Sequence, residues 1–146
     1  MKTLMRNIML LAVMVATFST SSAVAQTLRD ASYNYVGKIS PNGTVRDSKY
    51  NPVGYFNNDG TIANAKGKVV GRFDGKMQIF TKGGERVGFI TADGSVYDGE
   101  SDLLGKIEIK TGKVTDDDGK VLGYANGISI QRVAVYYFFD FLTNSL

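Results

Sequence analysis

An aliphatic–glycine pair returns almost every 17 residues along this chain. It stands at Val36-Gly37, Val53-Gly54, Val70-Gly71, Val87-Gly88, Leu104-Gly105 and, one residue late, Leu122-Gly123. A short fixed period means that one small unit is used repeatedly, so whatever the unit can do locally limits the whole fold. Aligned on the glycine, five copies read VGKISPNGTVRD, VGYFNNDGTIAN, VGRFDGKMQI, VGFITADGSVYD and LGKIEIKTGKVTD.

The first half of each copy ends in a large apolar residue: Ile39, Phe56, Phe73, Ile90 and Ile107. Residues two apart on a strand share a face, so that face carries glycine and then the large side chain. Two positions after the second glycine the copies place Val45, Ile62, Met77, Val96 and Val114. These add a second inward residue per copy. Between the halves lie Pro41-Asn42-Gly43, Asn58-Asp59-Gly60, Asp74-Gly75, Ala92-Asp93-Gly94 and the less regular Lys110-Thr111-Gly112. Asn-Gly and Asp-Gly suit primed hairpin turns. Asp47, Asn64, Asp98 and Asp116, with Gly67, Gly83 and Gly119, mark turns between copies.

The predicted fold is all-β: a five-fold pseudo-symmetric antiparallel meander of short β-hairpins, flower-like or closed into a barrel. Closure removes the edges an open meander would expose. Strands of about four to six residues are too short to cross an outer membrane. The sixth copy lacks a normal second half, and either completes the ring or leads into the tail.

The repeat occupies residues 36–127, after a lead-in at 26–35, and gives way at 128–146 to an apolar segment that includes ISIQRVAVYYFFDFL. Its β-branched and aromatic residues suit a strand. As a helix it has Ser129 as N-cap and is apolar on nearly every side, which requires burial. A ring of ten short strands with inward glycines leaves space for Val133, Val135, Tyr137, Phe138 and Phe141. That geometry favours a helix packed against or inside the ring.

Residues 1–25 have the features of an export signal. Lys2 and Arg6 precede an apolar run from Ile8 to Phe18, and Ala23-Val24-Ala25 predicts cleavage before Gln26. No cysteine follows to carry a lipid anchor. The mature chain is therefore expected in the periplasm or outside the cell, without a membrane span. Loss of two cations takes the net charge from +3 to +1, which is not the footprint of a nucleic-acid binder. Without cysteine, stability rests on packing and strand pairing alone.

The tandem [V/L]-G-x-[I/F]…[D/N]-G-[T/S]-[V/I]-x-[D/N] units, the leader and the apolar-aromatic tail resemble the five-fold β-flower family of small secreted bacterial proteins. The resemblance runs from about Tyr35 to Leu142. Copy three departs from it through the short Asp74-Gly75 turn and Ile79. The resemblance implies a fold and carries no catalytic residue.

The chain has no histidine and no cysteine, which excludes Ser-His-Asp and Cys-His catalysis and the usual zinc and copper ligand sets. No phosphate-binding or dinucleotide motif is present, so no cofactor is expected. Paired carboxylates are open to any acidic chain, but the acids here recur at turn positions that explain them. Asp116-Asp117-Asp118-Gly119 lacks the ligand spacing of a calcium loop and reads as a solvated turn.

The residues following the repeat glycines alternate between basic and aromatic: Lys38, Tyr55, Arg72, Phe89, Lys106, Tyr124. Strand alternation turns them outward. Such a belt could stack on sugars or pair with anionic polymers. The favoured account of the alternation is that cations and rings shield one another across neighbouring strands. The leading reading is a non-enzymatic binding or structural module of the bacterial envelope, with a cell-surface glycan or another envelope protein as partner. The alternatives are a carboxylate-based, glycan-acting envelope enzyme, or a subunit that self-assembles through Tyr33, Tyr35, Tyr50 and exposed aromatics of the tail. Acids that converge on a pocket would mark the enzyme; acids spread around a ring would not.

Overall fold

A computed structural model describes residues 26–142. The export signal expected over residues 1–25 lies outside the described residues, as do residues 143–146. Twelve strands follow in order: β1 (Thr27–Asp30), β2 (Tyr35–Ile39), β3 (Thr44–Asp47), β4 (Pro52–Phe56), β5 (Thr61–Asn64), β6 (Val69–Phe73), β7 (Gln78–Thr81), β8 (Arg86–Ile90), β9 (Ser95–Asp98), β10 (Leu103–Ile107), β11 (Lys113–Asp116) and β12 (Val121–Tyr124). Helix α1 (Ile130–Phe138) comes last. Each strand pairs antiparallel with its sequence neighbours, and β1 pairs with β12, so the meander closes into a barrel.

The expected hairpin repeat is present, as five hairpins continuous in sequence, from β2–β3 to β10–β11. A sixth, composite pair joins β12 to β1, with Arg29 opposite Tyr124 and Asp30 opposite Gly123. The lead-in thus supplies the second half that the sixth copy lacks. Thr27-Leu28-Arg29-Asp30 corresponds to Thr44-Val45-Arg46-Asp47, and Leu28 is fully buried like Val45.

Strand alternation builds the core. Within each hairpin the inward residues face one another: Ile39 opposite Val45, Phe56 opposite Ile62, and Ile90 opposite Val96. On its other side Val45 faces Gly54. The register therefore slips by two residues per repeat, from Ile39 to Gly54 rather than Phe56, giving the stagger that closure of tilted strands requires.

Every junction between repeats carries a β-bulge, and the bulged residue is the aliphatic member of the signature pair. Val45 faces Gly54 and Arg46 faces Pro52, leaving Val53 without a partner. The same skip falls on Val36, Val70, Val87, Leu104 and Leu122. All six pack against the buried core. A bulge bends its strand and increases its twist, so the recurring Val or Leu marks the places where the wall curves.

Three details of the predicted repeat are corrected. Met77 does not fill the inward position of copy three; Ile79 does, fully buried and opposite Phe73, while Met77 is exposed. The turn is not shortened there. Residues 74–77 match residues 57–60, and Met77 takes the left-handed backbone (φ 63°) where copy two has Gly60 (φ 88°). Nor are the hairpin turns of the primed type. In the Ser40–Thr44 loop Gly43 N–H donates to Ser40 O at 2.8 Å, and of the three loop residues Gly43 alone has positive φ. This is the three-residue loop with a final left-handed residue. In copy five the loop from Glu108 to Lys113 holds one residue more, which is why Leu122 arrives late.

The tail is partly helix. Ser129 stands at the N-cap, but its hydroxyl makes no cap bond; its carbonyl accepts the Val133 N–H at 3.1 Å. Val133, Ala134 and Val135, three successive residues pointing to different sides, are all buried. Such a helix is enclosed on several sides, as a plug within a barrel must be. Helical backbone ends at Phe138, and Phe139 is extended (φ −130°, ψ 143°).

The repeat glycines explain that ending. A Cβ built on Gly123 would lie 2.6 Å from the Tyr137 hydroxyl, and one on Gly105 would lie 2.6 Å from Phe138. The same test gives 2.4 Å to Phe139 at Gly88, 2.8 Å to Phe141 at Gly71 and 2.3 Å to Leu142 at Gly54. Five successive glycines thus receive five tail side chains, one per repeat, in reverse order around the ring. A continuing helix could not deliver neighbouring side chains to successive strands around a circle, so the chain unwinds to follow the wall.

The Tyr137 hydroxyl also fastens the ring's seam. It donates to Arg29 O on β1 at 2.8 Å and sits 3.4 Å from Tyr124 O on β12. Burial raises its pKa, keeping it a neutral donor. No helix among the described residues is long and apolar enough to cross a membrane.

Candidate functional site

With the interior filled by helix and tail, chemistry is available only at the rims and on the outer wall. The rims are built from turns in which an Asp, Asn or Thr side chain binds the backbone of its own loop. Asp47 Oδ1 accepts the N–H groups of Lys49 and Asn51, both at 2.9 Å. Asp30, Asn64, Asp98 and Asp116 repeat the arrangement. This includes the densest acidic cluster. Asp116, Asp117 and Asp118 place carboxylate oxygens within 4.8 Å of one another, yet Asp116 is committed to the amides of Asp118 and Lys120.

At the opposite rim Asp59, Asp74 and Asp93 brace the hairpin loops. The Thr91 hydroxyl, followed by the Ser95 amide, holds the Asp93 carboxyl down at about 2. Asp59 is lowered chiefly by the Thr61 hydroxyl, Asp74 chiefly by the Gln78 amide, and Asp30 chiefly by the Asn34 amide. These are stabilised anions, not proton donors poised near neutrality. They lie around two rings rather than in one cleft.

The mouth near Ser40 holds one cation of note. Arg132 lies over the Phe56 ring at 5.6 Å, with Nη1 3.5 Å from Ser40 O. Phe56 and Phe73 stack beside it at 5.7 Å. The surface depression there is lined by these groups together with Asn57, Asn58 and Gln131.

On the wall, Lys38, Tyr55, Arg72, Phe89, Lys106 and Tyr124 all sit one residue from a buried glycine, on the face opposite to it. The structure distributes them around the circumference. Arg46, Ala63, Phe80, Tyr97 and Thr115 stand opposite the first five, on the neighbouring strand of the same hairpin, and Arg29 opposite Tyr124. The shielding contacts use these intervening strands rather than other belt members. Arg72 covers Phe80 at 4.2 Å and Phe89 stacks on Tyr97 at 5.0 Å, while Arg86, on the same strand as Phe89, lies 5.0 Å from its ring.

A second set of wall residues includes two of the tyrosines expected above as self-assembly contacts; what sequence reading missed is their strained backbone and their arginine backing. Tyr33 and Tyr50 occupy the third position after Asp30 and Asp47, where the other equivalent turns have Gly67, Gly84, Ser101 and Gly119. Both adopt left-handed backbone (φ 69°), and both remain well exposed, at 59% and 58%. Each carries an arginine on its ring: Arg29 at 4.6 Å from Tyr33 and Arg46 at 4.7 Å from Tyr50. Each arginine also donates to the carbonyl of the tyrosine it covers, at 3.1 Å. The available signal was tyrosine where turn chemistry asks for glycine.

A closed β-repeat barrel, plugged by its own tail and offering only its exterior, is what the fold and these surfaces define. The chain belongs to the 5-fold beta-flower proteins, whose family model matches residues 24–141. No curated protein and no solved structure matches it.

Proposed function

We propose that this is an exported, non-enzymatic binding module of the bacterial envelope that holds a cell-surface glycan on its outer wall. The observation that carries the reading is the use of the turn acids: they are bonded within their own loops and spread around both rims, so among the described residues no carboxylate pair converges on a cleft. The basic and aromatic belt at Lys38, Tyr55, Arg72, Phe89, Lys106 and Tyr124 supplies the contact surface. Aromatic rings take up the C–H faces of sugars, and cations take up their acidic groups.

Co-sedimentation of the mature protein with peptidoglycan, beside an assay for released reducing ends, tests this. Binding without release is expected. The triple variant Tyr55→Ser, Phe89→Ser, Tyr124→Ser should lose binding. If stability falls and binding stays, the belt is structural. Release of reducing ends favours the carboxylate enzyme instead, and a multimeric mass on size exclusion favours the self-assembling subunit.

A further inference from the structure

We infer that Tyr33 and Tyr50, each backed by its own arginine, form a two-step stacking surface for a linear polysaccharide that carries carboxylates. This rests on the glycan reading above and places the contact in one sector of the wall, around the seam of β12, β1, β2 and β3.

Four observations converge on it. Left-handed backbone is costly for a tyrosine and free for a glycine, and strain of this kind persists where the surroundings hold it for a purpose. The fold does not ask for a ring there, since the four other equivalent turns use Gly67, Gly84, Gly119 and, with the same left-handed backbone (φ 68°), the small Ser101. Both rings face solvent, so core packing does not explain them. The ring, the arginine and the carbonyl contact recur with nearly identical distances in two adjacent repeats. Equivalent points one repeat apart are two strand spacings away, roughly 10 Å. That is close to the length of two linked sugar rings.

Charge selects the occupant. Arg29, Lys38, Arg46 and Lys49 lie in this sector, with the Lys38 ammonium 5.7 Å from the Tyr50 ring. Their acidic neighbours Asp30 and Asp47 point their carboxylates at turn amides. Across β1 to β3 and their turns, four cations against two acids leave the surface positive; the turn entering β12, with Asp117, Asp118 and Lys120, bounds it on the acidic side. Tyr124 extends it, packing edge-on against Tyr33 at 5.1 Å. A neutral glucan would use the rings alone; a polyuronate would use rings and cations together.

The test is titration of the mature protein with alginate and with dextran, repeated at raised salt. Parent protein should bind alginate, bind dextran weakly or not at all, and lose alginate affinity as salt rises. The double variant Tyr33→Gly, Tyr50→Gly should lose at least about tenfold in alginate affinity while its melting temperature holds, because glycine fits the left-handed turn. If this variant binds like the parent while a Tyr55→Ser, Phe89→Ser double variant, outside the sector, does not, the sector is wrong and the wider glycan reading survives. Peptidoglycan binding without alginate binding, or equal binding of dextran, overturns the acidic-polysaccharide class alone. No binding to any of these glycans removes both readings. A parent dimer that the double variant dissociates identifies the tyrosines as a self-association surface and overturns the proposal.

Discussion

Inside and outside of the same wall obey different rules. On the inner face every repeat offers a glycine and one or two large apolar residues, and where the glycine leaves a gap the tail fills it. Tyr137, Phe138, Phe139, Phe141 and Leu142 meet Gly123, Gly105, Gly88, Gly71 and Gly54. On the outer face equivalent positions diverge: Gly67 and Gly84 in two turns become strained tyrosines in two others. Where geometry dictates, the copies agree. Where it does not, they vary: Tyr33, Tyr50 and Ser101 stand where the other turns have Gly67, Gly84 and Gly119.

The sharpest way to break the contrast is to remove the tail. Truncation after Asn126 should abolish cooperative unfolding in a circular-dichroism melt, because the barrel loses its axial filling. A truncated chain that melts like the parent would show that the wall stands alone. Less drastic is overpacking one glycine. Gly88→Val places new atoms against Phe139 at 2.4 Å and the Tyr97 carbonyl at 2.6 Å, and should cost about 1–3 kcal/mol by denaturant titration.

Smaller effects follow from the seam and the rims. Tyr137→Phe removes the bond to Arg29 O and should cost about 1 kcal/mol, read from the same titration. Asp93 has its pKa lowered from an ordinary 3.8 to about 2, so the folded state binds this proton less readily than the unfolded chain. Its contribution is present above pH 4 and is lost as pH falls towards 2. Asp93→Asn should flatten that part of the stability–pH curve. Least of all, Tyr33→Gly should leave stability within about 0.5 kcal/mol of the parent, since relief of strain offsets glycine's entropy and the lost arginine contact. A marked loss would mean that the ring is structural.

Much of the inner face was legible in the sequence because strand alternation and turn residues are local signals. The inward positions at Ile39, Val45, Phe56 and Ile62 follow from a period of two. Copy three was misread because Asp74-Gly75 looks like a complete turn. The loop runs on to Met77, where a non-glycine residue takes positive φ. The half-repeat at Thr27–Asp30 was hidden by lacking an aliphatic–glycine pair of its own, and its role depends on the long-range pairing with β12. The bulges were invisible for the same reason: only the partner strand reveals that Val53 is skipped. In the tail, a run of aromatic residues shows that it must be buried. It does not show that consecutive rings are shared out among successive repeats.

Of the candidate surface, the outward direction of Lys38, Tyr55 and their equivalents could be read from alternation. Their shielding partners could not, because Phe80 and Tyr97 lie on intervening strands. Tyr33 and Tyr50 were noticed as exposed aromatics, but their strained backbone emerges only from the three-dimensional turn.

The match of tail to glycine ring is tested most directly by a double-mutant cycle on Gly54→Ala and Leu142→Ala. A Cβ on Gly54 would lie 2.3 Å from Leu142 Cδ2 and 2.9 Å from the Ala63 carbonyl, so the leucine is the nearer obstacle. Gly54→Ala should cost about 1–3 kcal/mol in the parent and much less once Leu142 is alanine, a coupling of about 1 kcal/mol or more. Equal cost in both backgrounds would contradict the seating of the tail against the repeat glycines.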